Sequence, residues 1–198
     1  MCSSDLNVTC FGGNDGAIDL TPSGGIENGC LSFDGVDDMV NIGSTDRAYN
    51  SFTMEAWFKA WGPHEIDIES TNGFGGVSGQ KYLFGPVNEG ANAATGVSVG
   101  TDGISVYEHG AGYMPAVAVY SGSIGADWNH VAVVYDNKTP LIYLNGVLVH
   151  TGLVGTKPNV LSSLSIGGEY YGYHAGLIDE ARIWNKAFTA AEVLISYN

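Results

Sequence analysis

Between residues 65 and 69 the sequence reads Glu-Ile-Asp-Ile-Glu, so Glu65, Asp67 and Glu69 fall at every second position. On a β-strand alternate side chains share a face, which would align three carboxylates and turn Ile66 and Ile68 toward a core. Three aligned acids repel one another unless a cation, a sugar hydroxyl or a water-filled groove receives them. His64 precedes the run, and Glu108-His109, followed shortly by Tyr113, supplies a second cluster that a neighbouring strand can bring alongside. Sugar sites combine a flat aromatic for the apolar face of a ring with carboxylates and amides for its hydroxyls. His64, Glu65, Asp67, Glu69, Glu108, His109 and Tyr113 are therefore the candidate ligand-binding residues, with Trp61 and Tyr107 as further platforms.

A third acidic locus is Asp34-Gly35-Val36-Asp37-Asp38. Calcium takes about six to eight oxygens, and loops rich in Asp and Gly supply carboxylates and bare carbonyls, which makes Asp34 a candidate metal ligand. The same residues also form Asx turns with no metal. Other chemistries lack their residues or context: the Gly-x-Ser-x-Gly string at Gly96 to Gly100 lies within an alternating strand segment and not at a strand-to-helix elbow, and the chain has no Cys-x-x-Cys pair and no His-Glu-x-x-His. The glycine-rich stretch 73–79 has no Lys and no strand-to-helix context, so it reads as a loop flanking the acids and not as a phosphate cradle.

The elements that position these residues read as strands. Short apolar or alternating segments recur along residues 31–185, each fenced by Gly, Asn, Asp or Pro. In residues 52–59, Phe52, Met54, Ala56 and Phe58 share one face, and Thr53, Glu55, Trp57 and Lys59 the other. Trp57, Trp128 and Trp184 alternate with apolar neighbours and are expected in the core. Asp102-Gly103 and Asn145-Gly146 supply the positive φ that tight hairpins need, and residues 136–140 mark another turn. The only helix expected is the tail, where Thr189 can cap a turn leading into Ala190, Ala191 and Glu192. Many short strands with turn chemistry between them mean an all-β sandwich or barrel.

Composition narrows the partners. The 198 residues hold 7 Lys+Arg against 21 Asp+Glu, a formal charge of −14. Nucleic acid and anionic membrane surfaces need clustered cations to replace counterions, so neither is expected as a partner. The 29 glycines serve mostly as turn punctuation. No run of apolar residues is long enough for membrane insertion as a helix. Residues 1–6 lack the basic and apolar regions of a secretion signal, and their codons can spell sequencing-adapter DNA, so they are expected to be non-native. Cys2 then drops out, leaving Cys10 and Cys30 either as one disulfide or as two buried thiols.

Five segments, LSFDGVDDMVNIG, SFTMEAWFKA, WNHVAVVYDN, LIYLNGVLV and GLIDEARIWNKAFTAAEV, resemble in order the laminin-G-like, concanavalin A-like jelly-roll domains of bacterial surface proteins. The resemblance implies a two-sheet antiparallel jelly-roll sandwich over residues 26–198. It further implies a glycan or cell-surface ligand, and structural calcium near Asp179 of the last strand. Residues 8–25 are similar to the opening of repeats in gliding-motility surface adhesins and depart from them after Gly25. Residues 7–25 are accordingly a repeat fragment or linker strand, and the whole implies an extracellular or cell-surface location beside neighbouring domains of one polypeptide.

The acidic run also resembles the signature of family-sixteen retaining glycoside hydrolases, which share this fold. That likeness would make Glu65 the nucleophile, Asp67 its helper and Glu69 the acid/base. Retaining chemistry needs the two carboxyls about 5 Å apart, whereas four strand residues span roughly 13 Å of backbone. The chain is short for that family, so the leading expectation is a carbohydrate-binding or adhesion module. The hydrolase is the first alternative and a ligand-free structural spacer the second.

Overall fold

The computed structural model describes residues 29–43 and 47–198. The strands in chain order are β1 (Leu31–Asp34), β2 (Val40–Asn41), β3 (Phe52–Ala60), β4 (Tyr82–Phe84), β5 (Ala93–Gly100), β6 (Gly103–His109), β7 (Ala116–Ser121) and β8 (Asn129–Asp136). They continue with β9 (Thr139–Leu144), β10 (Val147–Thr151), β11 (Val160–Leu161), β12 (Ser165–Ile166), β13 (Gly168–Glu169), β14 (Gly172–Tyr173) and β15 (Ala175–Trp184), followed by helix α1 (Ala190–Tyr197). One sheet has the order β1-β15-β3-β8-β9-β10. The second runs β2-β12-β4-β5-β6-β7 with β11 beside β5, and β13 and β14 form a separate hairpin. This is the two-sheet sandwich that the resemblance implies, one of the two all-β forms the strand pattern allows. Among the described residues no helix is long and apolar enough to cross a membrane.

Period two decides which side chains meet between the sheets. Phe52, Met54, Ala56 and Phe58 of β3 are fully buried against Leu83, Val97, Val99, Ile104 and Val106 of the facing sheet. Each large side chain of this set contributes about 1.5–3 kcal/mol by leaving water. Asn145 and Gly146 both have positive φ, as do Asn137 and Lys138 between β8 and β9, whereas the β5–β6 hairpin turns with positive φ at neither Asp102 nor Gly103, contrary to the expectation for that dipeptide. Thr189 caps α1 through a reciprocal capping box with Glu192. Helix α1 lies on the outer face of the first sheet, where Ser196 donates to Glu55 at 2.7 Å and Tyr197 stacks on Trp57 at 5.5 Å. Trp57, Trp128 and Trp184 are half-buried on that sheet and not in the core, since the helix and Lys59 cover them only in part.

Residues 65–69 are not a strand. Only Glu69 forms a β-bridge, to Ala116, and Ile68 is 90% exposed. Residues 61–80 instead cross the outer face of the second sheet as an irregular strap. Pairing begins only at the end of the acidic run, where Glu69 bridges Ala116 at the edge strand β7 and Phe74 bridges Met114, so residues 65–68 cross the sheet without a ladder. Tyr82, Tyr107, Met114 and Ala116 form a second apolar cluster apart from the main core. Gly100 lets the strap approach, since a Cβ there would lie 2.5 Å from His64 N. Cys30 precedes β1, while Cys10, the disulfide considered for it and the repeat-like residues 7–25 fall outside the described residues.

Candidate functional site

The strap is held down by the acids and histidine that the sequence singles out. Asp67 Oδ2 accepts from Tyr107 OH at 2.8 Å, Gly76 N at 3.0 Å and Gln80 Nε2 at 3.2 Å. Glu69 Oε2 accepts from Val119 N at 3.0 Å and lies 2.5 Å from His150 Nε2, joining the edges of both sheets. His64 is buried with Nδ1 2.8 Å from Ser98 Oγ, and burial lowers its pKa to about 4, so the ring is neutral. Burial and the neighbouring Asp67 raise the Tyr107 pKa, keeping the phenol protonated as a donor. Glu65 is exposed, its backbone N–H donating to Gly79 O at 3.0 Å. Asp67 and Glu69 thus hold different partners while Glu65 is exposed, and the three do not form the row a strand would have made.

The second predicted cluster divides across its sheet. Glu108 points into the sandwich, where Tyr113 OH donates to it at 3.2 Å and Tyr135 OH at 3.3 Å. Burial raises its pKa to about 7, against the lowering effect of the two phenols and Lys138. Burial likewise raises Tyr113 to about 12. His109, the next residue, faces outward: its Nδ1 lies 2.8 Å from Pro86 O, and its ring meets Tyr171 edge-on at 5.2 Å. Adjacent strand residues face opposite sides, which is why Glu108 and His109 do not act together.

Asp34 gathers with Asp37 and Asp38, one ligand atom of each lying within 4.8 Å of the others. The turn is also internally bonded: Val36 N donates to Asp34 Oδ1 at 2.7 Å and Asp34 N to Asp38 Oδ2 at 3.0 Å. Asp179 stands elsewhere. Asp34 pairs with Ala175, and four strand residues from there to Asp179 cover about 13 Å. Its Oδ1 accepts from Glu180 N at 2.8 Å.

One concavity among the described residues that can take a ligand is a cleft of about 420 Å³. Asp34 and Gly35 form one side, residues 77–81 at the end of the strap another, and residues 170–173 with Ala175 the third. The tyrosines are presented by the β13–β14 hairpin, whose register pairs Gly168 with Tyr173 and Glu169 with Gly172. Gly172 packs against Gln80 O so closely that a Cβ would clash, which locks the hairpin to the strap. Tyr170 is 81% exposed, and Tyr171 meets it edge-on at 5.2 Å and Phe74 at 6.2 Å. Aromatic rings, one carboxylate, one amide and one ammonium around an open cleft are the elements of sugar recognition.

Of the predicted residues only Asp34 lines this cleft, while Asp67 shapes it through Gln80. Tyr170, Tyr171, Tyr173, Gln80 and Lys81 escaped the sequence reading. The available signal was the run Glu-Tyr-Tyr-Gly-Tyr, three of 11 tyrosines within four residues.

Residues 34–194 match the sequence model of the concanavalin A-like lectin/glucanases superfamily, and residues 6–28 match that of the SprB repeat. No curated protein sequence matches the chain. Among solved structures, the binding domain of botulinum neurotoxin serotype G superimposes with a TM-score of 0.62 at 13% identity, over 91% of this chain and 44% of the other. A structure described as "Cell entry of botulinum neurotoxin type C is dependent upon interaction with two ganglioside molecules" gives 0.56 at 16%, over 81% and 39%. The binding domain of botulinum neurotoxin DC in complex with SialylT gives 0.54 at 16%, over 81% and 38%. The chain thus spans less than half the length of these toxin structures, and at such identities the likeness is one of fold.

Proposed function

We propose that this chain, which belongs to the concanavalin A-like lectin/glucanases superfamily, is a glycan-binding module that takes sugar rings in the cleft between Asp34, residues 77–81 and the 170–173 hairpin. The observation that carries the reading is Tyr170, a large aromatic left 81% exposed at the rim of a cleft that also holds Asp34, Gln80 and Lys81. An exposed ring of this kind stacks on the apolar face of a pyranose, and the polar groups beside it take the hydroxyls. The toxin structures of similar fold are described with a ganglioside and a sialyl ligand, which belong to the same ligand class.

The SprB repeat match at residues 6–28 supports a setting at the cell surface or outside the cell, in one polypeptide with neighbouring domains. Structural calcium belongs to the same reading. The carboxylates of Asp34, Asp37 and Asp38 are hard oxygen donors of the kind calcium takes, and an ion there would brace one wall of the cleft.

Glycan-array binding by the wild-type chain and by Tyr170→Ala tests the proposal. Binding that is lost with Tyr170 supports it. No binding by the wild type, with or without calcium, overturns it.

A further inference from the structure

Resting on that cleft as the sugar site, we infer that Lys81 makes it selective for a glycan carrying a single anionic group on an otherwise neutral chain. The chain has 7 Lys+Arg residues. Arg47, Arg182 and Lys186 pair with carboxylates, Lys59 and Lys157 lie over aromatic rings, and Lys138 donates to a backbone carbonyl. Among the described residues Lys81 alone has no such side-chain partner, and it is the one cation on the cleft wall. A lysine left unpaired in a protein of charge −14, with 21 Asp+Glu to draw on, is a positive charge held open.

Its surroundings concentrate that charge. The Lys81 backbone is fixed, with N–H donating to Ser98 Oγ at 2.9 Å and the carbonyl accepting from Val99 N at 3.1 Å. The ammonium lies 3.3 Å from where a Cβ on Gly62 would sit, so glycine there leaves the room it occupies. His64 and His174 nearby are both buried. Asp34 lines the same cleft and repels anions, so an anionic sugar group seats toward Lys81 and hydroxyls toward Asp34.

Charge as a whole excludes the denser anions. Over the Debye length of about 8 Å at physiological salt a single ammonium attracts one carboxylate or sulfate locally. A polyanion extends beyond that reach and meets the net negative surface.

Calorimetric titration with lactose, sialyllactose, 6-sulfolactose and a heparin oligosaccharide tests the inference, on wild type and on Lys81→Met, which keeps most of the stem and removes the charge. Wild type is expected to prefer at least one singly charged trisaccharide or disaccharide over lactose by about tenfold, as a charge-assisted hydrogen bond provides. That preference falls as NaCl rises from about 50 to about 300 mM. It disappears in Lys81→Met, in which charged and neutral sugars bind alike and the thermal midpoint stays within error. The sialyl and sulfo arms tell which anion is taken, and heparin is expected to be the weakest ligand.

Equal affinity for charged and neutral sugars, or a preference that survives Lys81→Met, overturns the charge selectivity and leaves the sugar site standing. Heparin as the tightest ligand overturns it as well. Failure of every sugar to bind overturns the site itself.

Discussion

The Tyr107 hydroxyl donates to Asp67 Oδ2 at 2.8 Å, across the interface between β6 and the strap that lies on it. The bond converts an acid that looks like a ligand in the sequence into an anchor. Through the same oxygen Asp67 holds Gln80, and Gln80 forms part of the cleft wall.

Removing that anchor should loosen the strap and the cleft together. Asp67→Ala deletes the acceptor of three hydrogen bonds, which lowers stability by about 2–4 kcal/mol in urea unfolding, and Tyr107→Phe lowers it by about 1–2 kcal/mol. Amide exchange at Gly76, whose N–H donates to Asp67, is expected to accelerate in both variants. Unchanged exchange at Gly76 would show that the strap is held by other contacts.

Glu108 makes stability depend on pH. Its folded pKa stands near 7, above the ordinary 4.5, because burial disfavours the carboxylate. The folded state therefore holds the proton more tightly, and this contribution to stability falls as pH rises from about 4.5 through 7, by on the order of 3 kcal/mol. Glu108→Gln has no such proton to lose. Denaturant titrations at pH 5 and pH 8 should show the variant gaining about 2–3 kcal/mol relative to wild type over that interval.

His64 and His174 act in the opposite direction. Both are held near pKa 4 by burial, below the ordinary 6.5. Their contribution is complete above about pH 6.5 and is lost as pH falls through 4, on the order of 2–3 kcal/mol for each. The pH profile of unfolding for His64→Gln should be flatter than that of wild type between pH 6.5 and 4. A profile parallel to wild type would place the acid sensitivity elsewhere.

Calcium is expected to act at the first turn. Millimolar calcium should raise the thermal midpoint of the wild type, and chelator should reverse it. Asp37→Asn with Asp38→Asn should abolish the shift, whereas Asp179→Asn, about 13 Å of strand away, should retain it.

Much of the sandwich is legible in the residues alone. Phe52, Met54, Ala56 and Phe58 alternate and are buried as one face, and Asn145-Gly146 marks the hairpin that forms there. The failure at residues 65–69 has a physical reason: alternation marks two faces without saying which is buried, and here Asp67 and Glu69 are the residues that turn onto the sheet. Ile68, 90% exposed, breaks that pattern only in three dimensions. The cleft was illegible for a related reason. Its walls are a turn, the end of the strap and a hairpin of two-residue strands, brought together by long-range pairing such as Asp34 with Ala175. No local periodicity reports a site assembled from segments so far apart in sequence.

Where a glycan sits is measured most directly by backbone amide chemical shifts during titration with an array-positive glycan. The prediction is that perturbations concentrate at residues 77–81 and 170–173, with Asp34 and Gly35 following, and that Tyr170→Ala removes them. Perturbations clustered on the outer face of the first sheet around α1, or none at saturating glycan, would contradict it.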